Sequence, residues 1–187
     1  MRSIWKSLVQ PKIDYCSQLW CPGDQESISK LESVQRHFTS KVKGLENMDY
    51  WERLEKLQLC SQERRRERYM IIFLWKISQG LVKGYNVTFS NSGRRGRMII
   101  PNTVVRSSPA AVRRARESSL GVKGAKAFNL LPTGPRNLNS VSVEIFKANL
   151  DAYLSTVPDQ PTIGNRTRAA ATNSLLDQIP MMTAVTR

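Results

Sequence analysis

The chain has 187 residues, 40% of them hydrophobic, enough for one ordinary domain with a real core. Its 29 Lys and Arg against 15 acidic residues give a net charge of +14, which points to polyanionic partners, nucleic acid ahead of anionic membrane, and says little about fold. Three cysteines, no signal peptide and no apolar run near the ~18 residues of a membrane span argue against a disulfide scaffold, a membrane protein or a secreted one. The expected setting is intracellular, nuclear or cytoplasmic.

The first stretch, "RSIWKSLVQPKIDYCSQLW", is apolar at Ile4, Leu8, Ile13, Leu19 and Trp20. Pro11 predicts a helix, a kink and a second helix, with Gln10 pushed toward extended geometry. Asp24 is placed to cap a helix in which Ile28, Leu31, Val34, Phe38 and Val42 recur at spacings of three and four, ending before Gly44. Asp49 and Glu52 form a capping-box pattern for a short helix with Trp51, Leu54 and Leu57 on one side.

Ser61 is placed to cap the next helix, with Glu63 in its first turn and Gly80 where a stop is expected. Within it lies "RRRERYMIIFLWK", Arg64 to Lys76. Its apolar run of seven residues would span roughly 10 Å as a helix, far short of a bilayer. At 100° per residue, Met70, Phe73, Leu74, Ile77 and Leu81 fall in one sector, predicted to face inward, and Arg64, Arg65, Arg68, Lys76 and Gln79 in another, predicted to face outward. Ile72 and Trp75 fall among the arginines. A second element, such as the first helix, is expected to cover them, because buried aromatics are mostly core; base stacking on Trp75 is the alternative.

From Gly84 the pattern alternates at Tyr85, Val87 and Phe89, turns at Asn91 to Gly93 and resumes at Met98 to Ile100, which predicts a β-hairpin. Ala125 to Leu131 reads as a short helix before Pro132, and "TGPRNLNS" as a loop. Ser142 is placed to cap a helix with Val143, Phe146, Leu150, Tyr153 and Val157 on one face, ending at Pro158. Beyond it, weak periodicity and few large residues predict a disordered tail. The expected class is therefore mainly α: a helical region over 1–83, a basic hairpin-containing segment with one further helix over 84–157, and a disordered tail over 158–187.

The charge is unevenly spread. Residues 94–126 hold nine basic residues against Glu117 alone, whereas residues 1–90 hold 15 basic and 10 acidic. The candidate nucleic-acid-binding residues are Arg64, Arg65 and Arg68 on the central helix, Arg94, Arg95 and Arg97 in the "SGRRGR" turn, and Arg113, Arg114 and Arg116. An exposed, solvated surface is the plain alternative at each. A nuclear-import tag at Arg64 to Arg68 is a weak reading, since such tags work best in unstructured segments.

No catalytic constellation emerges. Cys16 and Cys21, with His37 and Cys60 far downstream, match no zinc-finger spacing, and the cysteines read as small buried side chains. His37, the only histidine, reads as a surface or core-edge residue and has no triad partners. No P-loop, GxSxG, HExxH or adjacent pair of aspartates occurs, so neither a catalytic residue nor a cofactor or metal is expected.

Taken in order, "SLVQPKIDYCSQLWCP", "ISKLESVQRHFTSKVKGLENMDYWERLEKLQLCSQERRRERYMIIFLWKISQGLV", "GVKGAKAFNLLP" and "FKANLDAYLSTVPDQP" resemble the region C-terminal to the reverse-transcriptase core in jockey-like non-LTR (LINE-type) retrotransposon polyproteins. The resemblance covers residues 2 to about 161 and rests on the ordered series, since no single motif is specific. It implies a thumb-like helical fragment that holds template RNA and primer, or an RNA–DNA duplex, beside the palm and fingers of the parent polyprotein. The family's (F/Y)-x-D-D metal-binding motif is not in this sequence, so the resemblance transfers no catalytic residue. A start at Met1, just before the matched region, is expected of a truncated element copy or of a partial gene. The second expectation is an interaction fragment that docks on the polymerase core and has no activity alone.

Overall fold

The computed structural model describes residues 2–18, 20, 22, 24–85, 87–89, 97–100, 109–161 and 173–185, and its regular structure is helical. The N-terminal helix runs from α1 (Arg2–Ile4) through a π-helical turn (Trp5–Val9) into α2 (Gln10–Asp14). Gln10 is not extended: it is helical at φ −55, ψ −44, and its N–H donates to Trp5 O. The wider π turn just ahead of the ring takes up the disturbance that a proline brings to a helix.

α3 (Gln25–Ser40) is capped by Asp24, whose Oδ1 accepts the Ser27 N–H at 2.8 Å. Its inward stripe is not the apolar one. Ile28, Glu32, Gln35 and Thr39 are buried, while Val34 is exposed. The polar members have assigned partners: Glu32 accepts from Tyr50 Oη and from the amide of Gln62 at 3.0 Å, and Gln35 donates to Cys60 O at 3.1 Å. Trp5, Gln10 and Gln62 extend the network, with Trp5 Nε1 donating to Gln10 Oε1 at 2.7 Å and Gln10 Nε2 to Gln62 Oε1 at 3.2 Å. Burying a polar group is costly unless it is bonded in this way. α4 (Tyr50–Leu57) has the full capping box between Asp49 and Glu52, and buries Tyr50, Trp51 and Leu54.

α5 (Gln62–Ser78) is the central element. It is capped by Ser61, whose Oγ accepts the Arg64 N–H, and it closes at Gly80, where φ +71 suits a residue without Cβ. There the Gly80 and Leu81 amides donate to Ile77 O and Lys76 O, the paired bonds of a Schellman ending. Leu81, beyond that stop, is exposed. Met70, Ile71, Ile72, Leu74, Trp75 and Ile77 are all buried, so the helix is enclosed on most sides rather than along one stripe.

The second half supplies the enclosure. α6 (Ala110–Ser118) leads into a second π turn (Leu120–Gly124) and α7 (Ala125–Leu130); α8 (Thr133–Arg136) is a short helix where a loop was expected, and α9 (Val143–Leu154) follows, capped by Ser142. A Cβ on Gly124 would lie 2.8 Å from Leu74 Cδ1, so glycine lets this π turn press against α5. Phe128, Leu131, Phe146, Leu150 and Val157 join the α5 residues in one core. Of the expected hairpin, a single antiparallel bridge is described, Phe89 to Met98, and no strand among the described residues. The outer edge of Met98 meets a side chain instead of a further strand: its N–H donates to Asn129 Oδ1 at 2.8 Å, and Asn129 Nδ2 donates to its carbonyl at 2.9 Å. The turn between them lies outside the described residues.

The disordered-tail expectation is overturned for residues 158–161 and 173–185. α10 (Leu175–Val185) places Leu175 and Ile179 in the main core. The few apolar residues there suffice because a groove built by α5 and α7 receives them.

Candidate nucleic-acid interface

The seven candidate arginines among the described residues separate into three environments. On α5, each guanidinium is held by acceptors from distant parts of the chain. Arg64 is buried, 3% exposed, and donates from Nη1 to Val157 O at 3.1 Å and from Nη2 to Pro158 O at 2.7 Å, with Asp159 at 3.9 Å. Arg65 donates from Nε and Nη2 to Asp14 Oδ2 at 2.9 and 2.8 Å and from Nη2 to Tyr69 Oη at 3.2 Å. Arg68 donates from Nη2 to Asp151 Oδ2 at 2.7 Å. Burial pulls the Arg65 guanidinium down, but its bonds to Asp14 outweigh this and the net shift is upward; the bonds to Asp151 raise Arg68. The outward face predicted for Arg64, Arg65 and Arg68 is thus a set of intrachain ties that fasten α5 to α2, to α9 and to residues 157–159.

The segment after α9 matters here for a second reason. Asp159 accepts from the Ser61 N–H at 2.8 Å and Ser61 Oγ at 2.7 Å, while Glu32 takes the Gln62 amide, so two carboxylates occupy the positive end of α5. That helix end is satisfied from within.

Trp75, stranded on the basic face by periodicity, meets protein. It is buried, stacks on Phe146 with centroids 4.4 Å apart and planes 7° apart, and donates from Nε1 to Leu138 O at 2.7 Å. The covering element is α9, not the first helix.

On α6 the situation is reversed. No residue of this helix is buried; Arg113, Arg114 and Arg116 are exposed and in no ion pair among the described residues. At 100° per residue they fan over about 160° of the helix circumference. Glu117 falls in the same sector and is likewise in no ion pair among the described residues. A nine-residue helix without a buried face is marginal by itself in water, so its alanines and its junction with the following π turn must support it.

The third environment is the bridge region. Arg94 and Arg95 lie outside the described residues. Arg97 is half-buried near Arg136, whose guanidinium is lowered first by burial and second by Arg97. Arg136 Nη1 is tied to Asn129 O at 3.2 Å and Leu131 O at 3.1 Å. Neither Arg97 nor Arg136 is in an ion pair among the described residues. Arg136 went unread in the sequence because it sits in a Pro/Gly-rich stretch with no periodicity.

Cys16 is half-buried and Cys60 exposed, so neither is the buried small side chain expected; Cys21 lies outside the described residues. His37 is exposed on α3. Among the described residues no group of His, Cys, Asp or Glu could hold a metal ion, and no helix is long and apolar enough to cross a membrane.

No protein-family model, curated protein or solved structure matches this chain.

Proposed function

We propose that this chain is a noncatalytic nucleic-acid-binding region that grips phosphates without reading sequence, in the manner implied by its resemblance to the thumb-like region that follows the polymerase core in jockey-like non-LTR retrotransposon polyproteins. The observation that carries the reading is α6: three arginines on a helix with no buried residue and in no ion pair among the described residues. Fixed charge without an internal partner suits a polyanion, and a fan of arginines suits a backbone with phosphates at many angles better than one small anion. Arg97, half-buried beside the bridge, adds a further cation. Template RNA or an RNA–DNA duplex is the proposed ligand, and the palm and fingers of a parent polymerase the proposed neighbour. The test is retention of RNA, single-stranded DNA and hybrid duplex at low salt, with release as salt rises. Failure to retain any of the three at low salt would overturn the proposal.

A second reading has its own support. Ile4, Leu8 and Tyr15 of the N-terminal segment are exposed, an apolar surface that a docking partner would cover. If the chain is foremost an interaction fragment, sedimentation will show self-association that a co-expressed polymerase core abolishes, and charge changes on α6 will leave this behaviour unaltered.

A further inference from the structure

The C-terminal segment is attached to the core in an unusual way. Besides burying Leu175 and Ile179, it presents its first backbone amides to two buried carboxylates of α5. The Asn173 N–H donates to Glu63 Oε2 at 3.1 Å, the Leu175 N–H donates to Glu67 Oε2 at 2.7 Å, and Ser174 Oγ donates to Glu67 Oε1. One cation faces the pair from the π turn before α7: Lys123 Nζ lies 2.9 Å from Glu67 and 3.8 Å from Glu63. Arg66, on α5 itself, is the other positive charge acting on Glu63. Glu32 of α3 approaches the backbone amide of Glu63 at 3.4 Å, and Asp159 holds the Asn173 side chain. Two carboxylates one helical turn apart are thus closed off from water by residues 173–175, with one lysine between them.

We infer that residues 173–185 form a proton-sensitive latch, seated on Glu63 and Glu67 and loosened when Glu63 gives up its proton. The seat is intact with Glu63 protonated, because Oε2 still accepts the Asn173 amide while the Glu67 carboxylate keeps Lys123. Ionising Glu63 places a second negative charge in the same closed space. Burial first, and the Glu67 carboxylate second, push Glu63 from 4.5 up to about 7 in the latched state. Opening the latch returns it to water and to its ordinary range. The latched state therefore binds the extra proton, and its stability is complete below about pH 4.5 and falls as pH rises through about 7.

Hydrogen exchange on the full chain reads the latch directly. The amides of Leu175 and Ile179, corrected for intrinsic exchange and referenced to those of Phe146 and Leu150, should open at least about tenfold more at about pH 8 than at about pH 5, with a ceiling of about 70-fold between those two pH values set by the shift. Glu63→Gln should abolish this pH step. Should that variant not fold, Leu175→Ala should raise opening at both pH values while keeping the step. Equal referenced opening at the two pH values in the wild type, or a wild-type step in Glu63→Gln, would overturn the inference.

Discussion

"RRRER" on α5 and "RRAR" on α6 are nearly the same composition, yet the fold treats them oppositely. On α5 the guanidinium groups of Arg64, Arg65 and Arg68 meet two carbonyls and the carboxylates of Asp14, Asp151 and Asp159. On α6, Arg113, Arg114 and Arg116 are exposed and in no ion pair among the described residues. The difference teaches that an arginine run is not by itself a binding surface. What decides is whether tertiary structure brings acceptors to it, and α5 lies at the centre of the core while α6 buries nothing.

The comparison can be broken most forcefully at Arg64. Arg64→Ala removes the donor to Val157 O and Pro158 O inside the protein, and should cost about 2 to 4 kcal/mol in denaturant unfolding, the range for orphaned buried polar groups. If stability is unchanged, α5 arginines are not structural ties. Next comes the Glu63 contribution. Because its pKa is raised when folded, wild-type stability should fall between about pH 4.5 and about pH 7 by up to about 3 kcal/mol relative to Glu63→Gln, as followed by unfolding at a series of pH values.

Why these ties escaped the sequence reading is a matter of distance along the chain. Asp24, Asp49 with Glu52, Ser61, Ser142 and Gly80 were legible because each acts on amides or carbonyls within a few residues. Arg65 and Asp14 are 51 residues apart, and Arg68 and Asp151 are 83, so no local pattern announces them. The same holds for Glu32 and Gln35, polar residues on the buried stripe of α3, whose partners come from α4, α5 and the loop between them. Apolar periodicity placed Val34 inward instead. The C-terminal helix was missed because its two core residues, Leu175 and Ile179, acquire meaning only once α5 and α7 form a groove. For the candidate interface, the excess charge over residues 94–126 was legible, while the lack of any buried residue on α6 was not.

Smaller effects sharpen the contrast. Asp14→Asn should cost about 1 kcal/mol, since the Arg65 pair is partly exposed, but it also frees a cation and should strengthen RNA retention in a filter-binding assay. The combined change of Arg113, Arg114 and Arg116 to Gln should alter stability by less than about 0.5 kcal/mol per site, because nothing is buried there.

The most direct measurement is the salt dependence of binding to an RNA–DNA duplex, by fluorescence anisotropy, for the wild type and for that α6 triple variant. Each phosphate contact contributes about 0.9 to the slope of log affinity against log salt on duplex DNA and about 0.7 on single strands. Loss of three contacts should flatten the slope by about 2 to 3 while the fold stays intact. A variant that keeps the wild-type affinity and slope would contradict the assignment of α6 as the nucleic-acid interface.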